Sequence, residues 1–216
     1  MSEYTRNPAH EIADVAALRD AFPATHELAV QKVMTSLDAH AREWIARAPF
    51  LCLGTQNADG KADVSPRGDP AGFVKVLNDK TLAIPDRPGN NRLDSLENIL
   101  SNPKVGLLFI IPGFDETFRV NGTAHLTRDP AILAQMAVND RVPTLAIIVE
   151  IETLFIHCAK AFRRAKLWEP ATYQDRKEMP SLVQIVLEQT TGAPSDKAVM
   201  DALDAGLEEA YKTTMY

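Results

Sequence analysis

The chain has 216 residues, 45% hydrophobic and 24% charged, with a formal net charge of −6. That length and balance suit one soluble globular domain with a core of useful size. The acidic surplus disfavours non-specific nucleic-acid binding, so cations that matter must be locally clustered. No apolar run approaches the roughly 20 residues of a membrane helix, and Met1–Asp14 lacks the apolar core of a signal peptide. A cytoplasmic protein with no membrane and no nucleic-acid partner is expected.

In chain order, Ile12–Ala21 predicts a short helix ended by Pro23. Thr25 is positioned to cap a longer one, in which Leu28, Val33, Leu37, Trp44 and Ile45 recur at helical spacing through Ala48, with Trp44 as a core anchor. Phe50–Thr55 reads as a strand. Asn57-Ala58-Asp59-Gly60 is a hairpin turn, and Lys61–Ser65 the return strand. Ser65–Pro70 (SPRGDP) then predicts a rigid turn. Gly72–Leu77 and Thr81–Pro85 follow as strands around Asn78-Asp79. Such close spacing argues for an antiparallel meander rather than βαβ units.

The loop Pro85–Arg92 (PDRPGNNR) is too rich in Pro and Gly to be helical. Leu93, Leu96, Ile99 and Leu100 then mark a helix capped by Asn90 or Asn91 and ended at Asn102-Pro103. Lys104–Ile111 and Thr117–Thr127 predict two further strands, with a bulge or kink at Gly122. Asp129–Val138 is a short helix with Pro130 in its first turn, and Thr144–His157 a long apolar strand. The basic and aromatic run Lys160–Trp168 (KAFRRAKLW) precedes helices at Ser181–Gln189 and Asp196–Tyr211. About six or seven strands with outer helices predict an α+β fold, a small antiparallel barrel with peripheral helices. Its parts would be a helical lead-in packed on the barrel (1–48), the barrel core (49–170) and a helical tail (171–216), within one domain.

Motifs exclude several chemistries. There is no dinucleotide fingerprint after a strand, no P-loop, no HExxH and no GxSxG. The five histidines are scattered, and Cys52 and Cys158 lie outside any metal-ligand spacing, so no metal site is expected and both thiols are expected buried and reduced. Two cationic groups stand out. Arg67, Arg87 and Arg92 fall on loops or near a helix start with Asn91 and Ser95. Guanidinium forks beside a helix N-terminus can hold a phosphate dianion. The same arginines beside Asp69, Asp86 and Asp94 also suit ordinary salt-bridged loops. Arg163, Arg164, Lys166 and Trp168 form the second group. It suits either contact with a flat or anionic ligand or a capped strand end with Trp168 in the core.

The run FLCLGTQNADGKADVSPRGDPAGFVKVLNDKTLAIPDRPGNNRLDSLENILSNPKVGLLFIIPG, followed by HCAKAFRRAKLW, resembles the pyridoxamine 5′-phosphate oxidase-like flavoproteins, in a bacterial subfamily with SPRGDP and PDRPGNNR motifs. The resemblance covers about Leu28 to Pro170. It implies an FMN-binding split β-barrel and a homodimer with FMN at the subunit interface. By that resemblance Arg67 is the phosphate-binding arginine, and Arg87, Asn91, Arg92 and Ser95 supply phosphate and ribityl contacts. Thr117 or Arg119 approaches the flavin ring, and Lys160, Arg164 and Trp168 reach the flavin, of the neighbouring subunit in some arrangements. The implied activity is hydride transfer between FMN and an unidentified small molecule, with NADH or NADPH as donor. No catalytic acid or base is identifiable. PGNNR replaces the SRK run of the true pyridoxamine phosphate oxidases, and their C-terminal Arg and His ring contacts have no counterpart, so that particular oxidation is not implied. A flavin carrier or sensor without turnover is the alternative. Haem binding is a weaker one, with His125 and His157 as candidate axial ligands.

Overall fold

A computed structural model describes residues 4–216. Its contacts divide the chain into two units, residues 1–33 and 34–216.

In the first unit, α1 (Val15–Asp20) is capped by Asp14, whose Oδ1 accepts from Ala17 N at 2.9 Å. Next, α2 (Glu27–Gln31) starts at His26 rather than Thr25 and runs five residues. The single helix expected through Ala48 does not form. In the second unit, which starts at residue 34, Met34 instead exchanges two backbone hydrogen bonds with Leu154, each 2.9 Å, and Leu37 N donates to Asp79 O. Those groups are then lost to a helical ladder. A separate helix, α3 (Ala39–Arg47), begins at Asp38, whose carboxylate accepts from Ala41 N. It buries Ala41 and Ile45, and Trp44 packs against the core as expected.

The second unit is built on one seven-stranded antiparallel sheet. Its strands are β1 (Phe50–Gln56), β2 (Ala62–Gly68), β3 (Lys75–Asn78), β4 (Thr81–Pro85), β5 (Lys104–Ile110), β6 (Thr117–Thr127) and β7 (Ala146–His157), in the order β2-β1-β5-β6-β7-β4-β3. With peripheral helices, this is the antiparallel split β-barrel expected from the sequence. Alternate residues of β1, β5, β6 and β7 fill the core, among them Leu51, Leu53, Leu107, Phe109 and Val120.

SPRGDP is where turn chemistry misleads. Ser65–Gly68 continue β2, with Arg67 paired to Leu51 and Pro66 to Cys52. Because β2 is an edge strand, the missing N–H of Pro66 costs no ladder bond. The turn comes only at Pro70–Phe73, closed by Phe73 N donating to Pro70 O at 3.1 Å. Gly122 does mark a bulge, since the β6–β7 register shifts between Asn121 and Gly122. There the backbones approach so closely that a Cβ on Gly122 would lie 2.1 Å from Glu150 O.

The remaining helices are α4 (Asp94–Ser101), α5 (Pro130–Ala134, capped by Asp129), α6 (Lys160–Ala165), α7 (Leu182–Gln189, capped by Ser181) and α8 (Lys197–Thr214, capped by Asp196). The expected Asn cap of α4 is replaced by Leu93, which sits in the left-handed region at φ 60° with no side-chain cap. Asn90 is used within the loop, its Oδ1 accepting from Arg92 N. Cys158 is exposed and Cys52 half-buried, contrary to the two buried thiols expected; Cys158 lies just past the end of β7. No helix among the described residues is long and apolar enough to cross a membrane.

Candidate functional site

β2 alternates exposed and half-buried residues, and Asp63, Ser65 and Arg67 share its sheltered face. These three form one wall of a cavity of about 850 Å³, within the roughly 300–1,000 Å³ typical of small-ligand clefts. The loop after β4 and the start of α4 form the second wall, and Arg141–Leu145 with Tyr216 the third. Four arginines (67, 87, 92 and 141) face three aspartates (63, 86 and 94) in the lining. In a chain of net charge −6 this is a local cationic surplus.

The cations are held differently. Arg67, 17% exposed, donates from Nη1 to Asp86 at 2.8 Å. Its Nε is buried and without a partner among the described residues. A buried guanidinium N–H without an acceptor is costly unless a ligand supplies one. Arg87 is more fully engaged. Its Nε donates to Asp69 at 2.6 Å, its Nη2 donates to Met136 O at 2.8 Å, and its guanidinium lies 5.5 Å from the centroid of the Tyr216 ring. Arg92 is exposed and paired to Asp94, which raises its pKa.

Ser95, 3% exposed, donates to Asp63 at 3.0 Å, and Asn98 Nδ2 donates to Thr55 Oγ1 at 3.0 Å. These bonds fasten α4 to β2 and β1, so Ser95 holds the cavity walls together. Asn91 and Leu93 both have positive φ. Outside glycine this is uncommon for Asn and a genuine outlier for Leu. The loop thereby turns sharply into α4, whose first-turn N–H groups lack a side-chain cap.

The structure thus brings Arg67, Arg87, Asn91, Arg92 and Ser95 to one cavity. The other sequence-derived candidates lie elsewhere. Register shows why: Arg67 pairs with Leu51, which pairs with Phe109, which pairs with Phe118. Directly paired residues share a sheet face. Arg119 is one residue beyond Phe118 and takes the opposite face, with Leu108 and Cys52, its guanidinium 5.8 Å from the Phe155 ring centroid.

Thr117 is buried and paired to His157. Trp168 Nε1 donates to Phe114 O at 2.7 Å, and Arg163 pairs with Asp115 at 3.0 Å, so α6 is tied to the loop before β6. Lys160 and Arg164 are exposed, with no ion pair among the described residues. Sequence reasoning named Asp69 only as a salt-bridge neighbour of the arginines, which its pairing with Arg87 bears out, and did not include Asp63, Arg141 or Tyr216. Asp63 lies just before Ser65–Pro70 in the chain, whereas Tyr216 reaches Asp69 over 147 residues.

No group of three or more His, Cys, Asp or Glu suited to a metal ion occurs among the described residues. His125 and the partner of His157, Thr117, are eight residues apart on β6, or roughly 26 Å at 3.3 Å per residue. The two histidines therefore cannot serve as axial ligands of one haem within a protomer.

The family model described as Pyridoxamine 5′-phosphate oxidase matches residues 37–158. No curated protein matches the chain significantly. Among solved structures, HupZ of Group A Streptococcus is 18% identical with a TM-score of 0.47, covering 56% of this chain and 93% of its own. A putative pyridoxamine 5′-phosphate oxidase of Lactobacillus delbrueckii is 22% identical with a TM-score of 0.43, covering 56% and 95%. An FMN-binding protein of Syntrophomonas wolfei is 10% identical with a TM-score of 0.41, covering 66% and 95%. At these identities and scores the likeness carries nothing about ligands.

Proposed function

The chain belongs to the pyridoxamine 5′-phosphate oxidase family, and from that premise we propose that it is an FMN-binding oxidoreductase acting on a small molecule. The observation that carries the reading is the buried, unpartnered Nε–H of Arg67 in a cavity with a cationic surplus. A phosphate oxygen supplies the missing acceptor, and a charge-assisted bond there is stronger than a neutral one. Arg67 and Arg92 are the phosphate-holding residues, and Asn91 and the uncapped start of α4 offer polar groups beside them. Arg87 stiffens the loop through Asp69, and Ser95 through Asp63.

Bound in this cavity, FMN would supply hydride-accepting and hydride-donating chemistry. No histidine lines the cavity, and hydride transfer alone requires no protein acid or base. What the protein supplies is binding, orientation and a cationic surround for negative charge.

We further read the protein as a homodimer. Phe50, Cys52, Leu108 and Ile110 share the sheet face that carries Arg119 and are only partly covered within one chain. A second copy laid on that face would cover them. It would also let Arg119, which takes the face opposite Arg67 in its own chain, serve the partner's cofactor, together with Lys160, Arg164 and Trp168, which lie outside their own chain's cavity.

The test is the visible absorption spectrum of the purified protein, with release and identification of any chromophore. Flavin bands and FMN in the supernatant are expected, followed by bleaching with NADH or NADPH. A colourless protein that also fails to take up added FMN overturns the reading. FMN that no donor or substrate reduces leaves a carrier or sensor.

A further inference from the structure

Tyr216 lies in the cavity lining, although the tail carrying it shows no cofactor motif. Its hydroxyl donates to Asp69 Oδ1 at 2.6 Å. The other oxygen of the same carboxylate accepts from Arg87 Nε at 2.6 Å, and the Arg87 guanidinium lies over the Tyr216 ring. The backbone carbonyl of Tyr216 accepts from Arg141, a third cavity residue. Asp69 has only 1% of its side chain exposed, so both oxygens are spent on this arrangement. The Asp69 bond, together with burial, raises the pKa of the Tyr216 hydroxyl, and it remains a donor through the neutral range.

The rest of the tail is loosely held. Met200 is the buried hydrophobic residue of α8, no residue of α7 is buried, and the two helices pack chiefly on each other. The firmest polar attachment of the tail is therefore made at the cavity wall.

We propose that Tyr216 is a positioning residue of the cofactor cavity: acting through Asp69 and Arg87 it locks the loop after β4, and it straps the α7–α8 tail to that wall, so that the strap must loosen for cofactor to leave. This rests on the FMN reading above. A merely structural anchor would hold the tail without changing cofactor exchange. The strap makes the two move together, because one carboxylate serves both the tail and the loop.

The test compares the wild-type full chain with Tyr216→Phe, Tyr216→Ala and Asp69→Asn. FMN dissociation is followed by flavin fluorescence, and tryptic cleavage at Lys197 and Lys212 of α8 with and without saturating FMN. Tyr216→Ala is expected to release FMN roughly tenfold faster or more, the loss of one hydrogen bond to a charged group. Tyr216→Phe, which keeps the ring over Arg87, should fall between it and wild type. FMN should slow tail cleavage in the wild type and not in Tyr216→Ala. Faster cleavage with unchanged FMN release overturns the proposal and leaves Tyr216 a tail anchor. Should the Ala variant fail to fold, equal release by Tyr216→Phe and wild type, with cleavage of wild type indifferent to FMN, overturns it as well. A wild-type protein that binds no flavin overturns the FMN reading itself, and this proposal with it.

Discussion

Two cationic regions sit on the same sheet and differ in how their charges are held. Around the cavity, Arg67 and Arg87 are 17% and 15% exposed, and each is paired to a sheltered carboxylate. Around α6 and β6, Arg119, Lys160 and Arg164 are exposed; Arg119 lies over the Phe155 ring, and none of the three has an ion pair among the described residues. The first region is organised before any ligand arrives, so little ordering entropy remains to be lost on binding. The second is organised only where Trp168 and Arg163 fasten α6 to the loop before β6. Under the proposed dimer, the first would be a preorganised site and the second a set of contacts completed only by a partner.

The largest expected effect breaks both regions together. Gly122→Ala places a Cβ against Glu150 O, a backbone atom that can move only by parting β6 from β7. Those two strands carry Arg119 and His157 directly and support β4 beside the cavity. A loss on the order of 3 kcal/mol or more is expected, read as a fall in the thermal midpoint. Wild-type stability would mean that the bulge relaxes without cost.

Arg87→Ala separates the regions. It leaves Asp69 buried with Tyr216 as its remaining hydrogen-bond donor. Removing one partner of a buried pair is strongly destabilising, and a loss of about 2–4 kcal/mol is expected by denaturant titration. Arg67→Ala should cost less stability, because Asp86 is 21% exposed and can be hydrated. Its effect falls on the cofactor instead: FMN affinity should drop on the order of 30- to 100-fold, the loss of about 2–3 kcal/mol of charge-assisted bonding. Equilibrium titration with FMN checks this, and unchanged affinity would remove Arg67 from the phosphate site.

Much of this was legible in the chain, and the failures have physical causes. Alternating apolar residues and the Asp59-Gly60 turn mark β1 and β2, and Gly122 announces its bulge. Arg87 and Arg92 were legible as loop cations before a helix start from the Gly, Pro and Asn around them, whereas Arg67, read as a loop residue too, reaches the same cavity from strand β2. Pro66 read as a turn, since nothing local says that β2 is an edge strand where proline is tolerated. Helical spacing ran on past Met34, since its pairing with Leu154 is a long-range contact. Leu93 in the left-handed region is likewise imposed by the fold against local preference. The Asp69–Tyr216 bond had no sequence signal.

The smallest effect bears on the region around α6. Lys160→Ala and Arg164→Ala remove exposed cations that have no ion pair among the described residues, so stability should change by no more than about 0.5 kcal/mol. If the region serves a partner's cofactor, FMN affinity should nonetheless fall about three- to tenfold, in keeping with the small energy of a solvated charge near an anion. The effect should vanish under high salt, which screens exposed charges more than the half-buried Arg67 pair. Salt dependence thus separates the two regions where affinity alone does not. A deficit that persists at high salt would place Arg164 in direct contact with the ligand, whereas no deficit at any salt would make the α6 cations a solvated surface and leave the cavity to bind its cofactor alone.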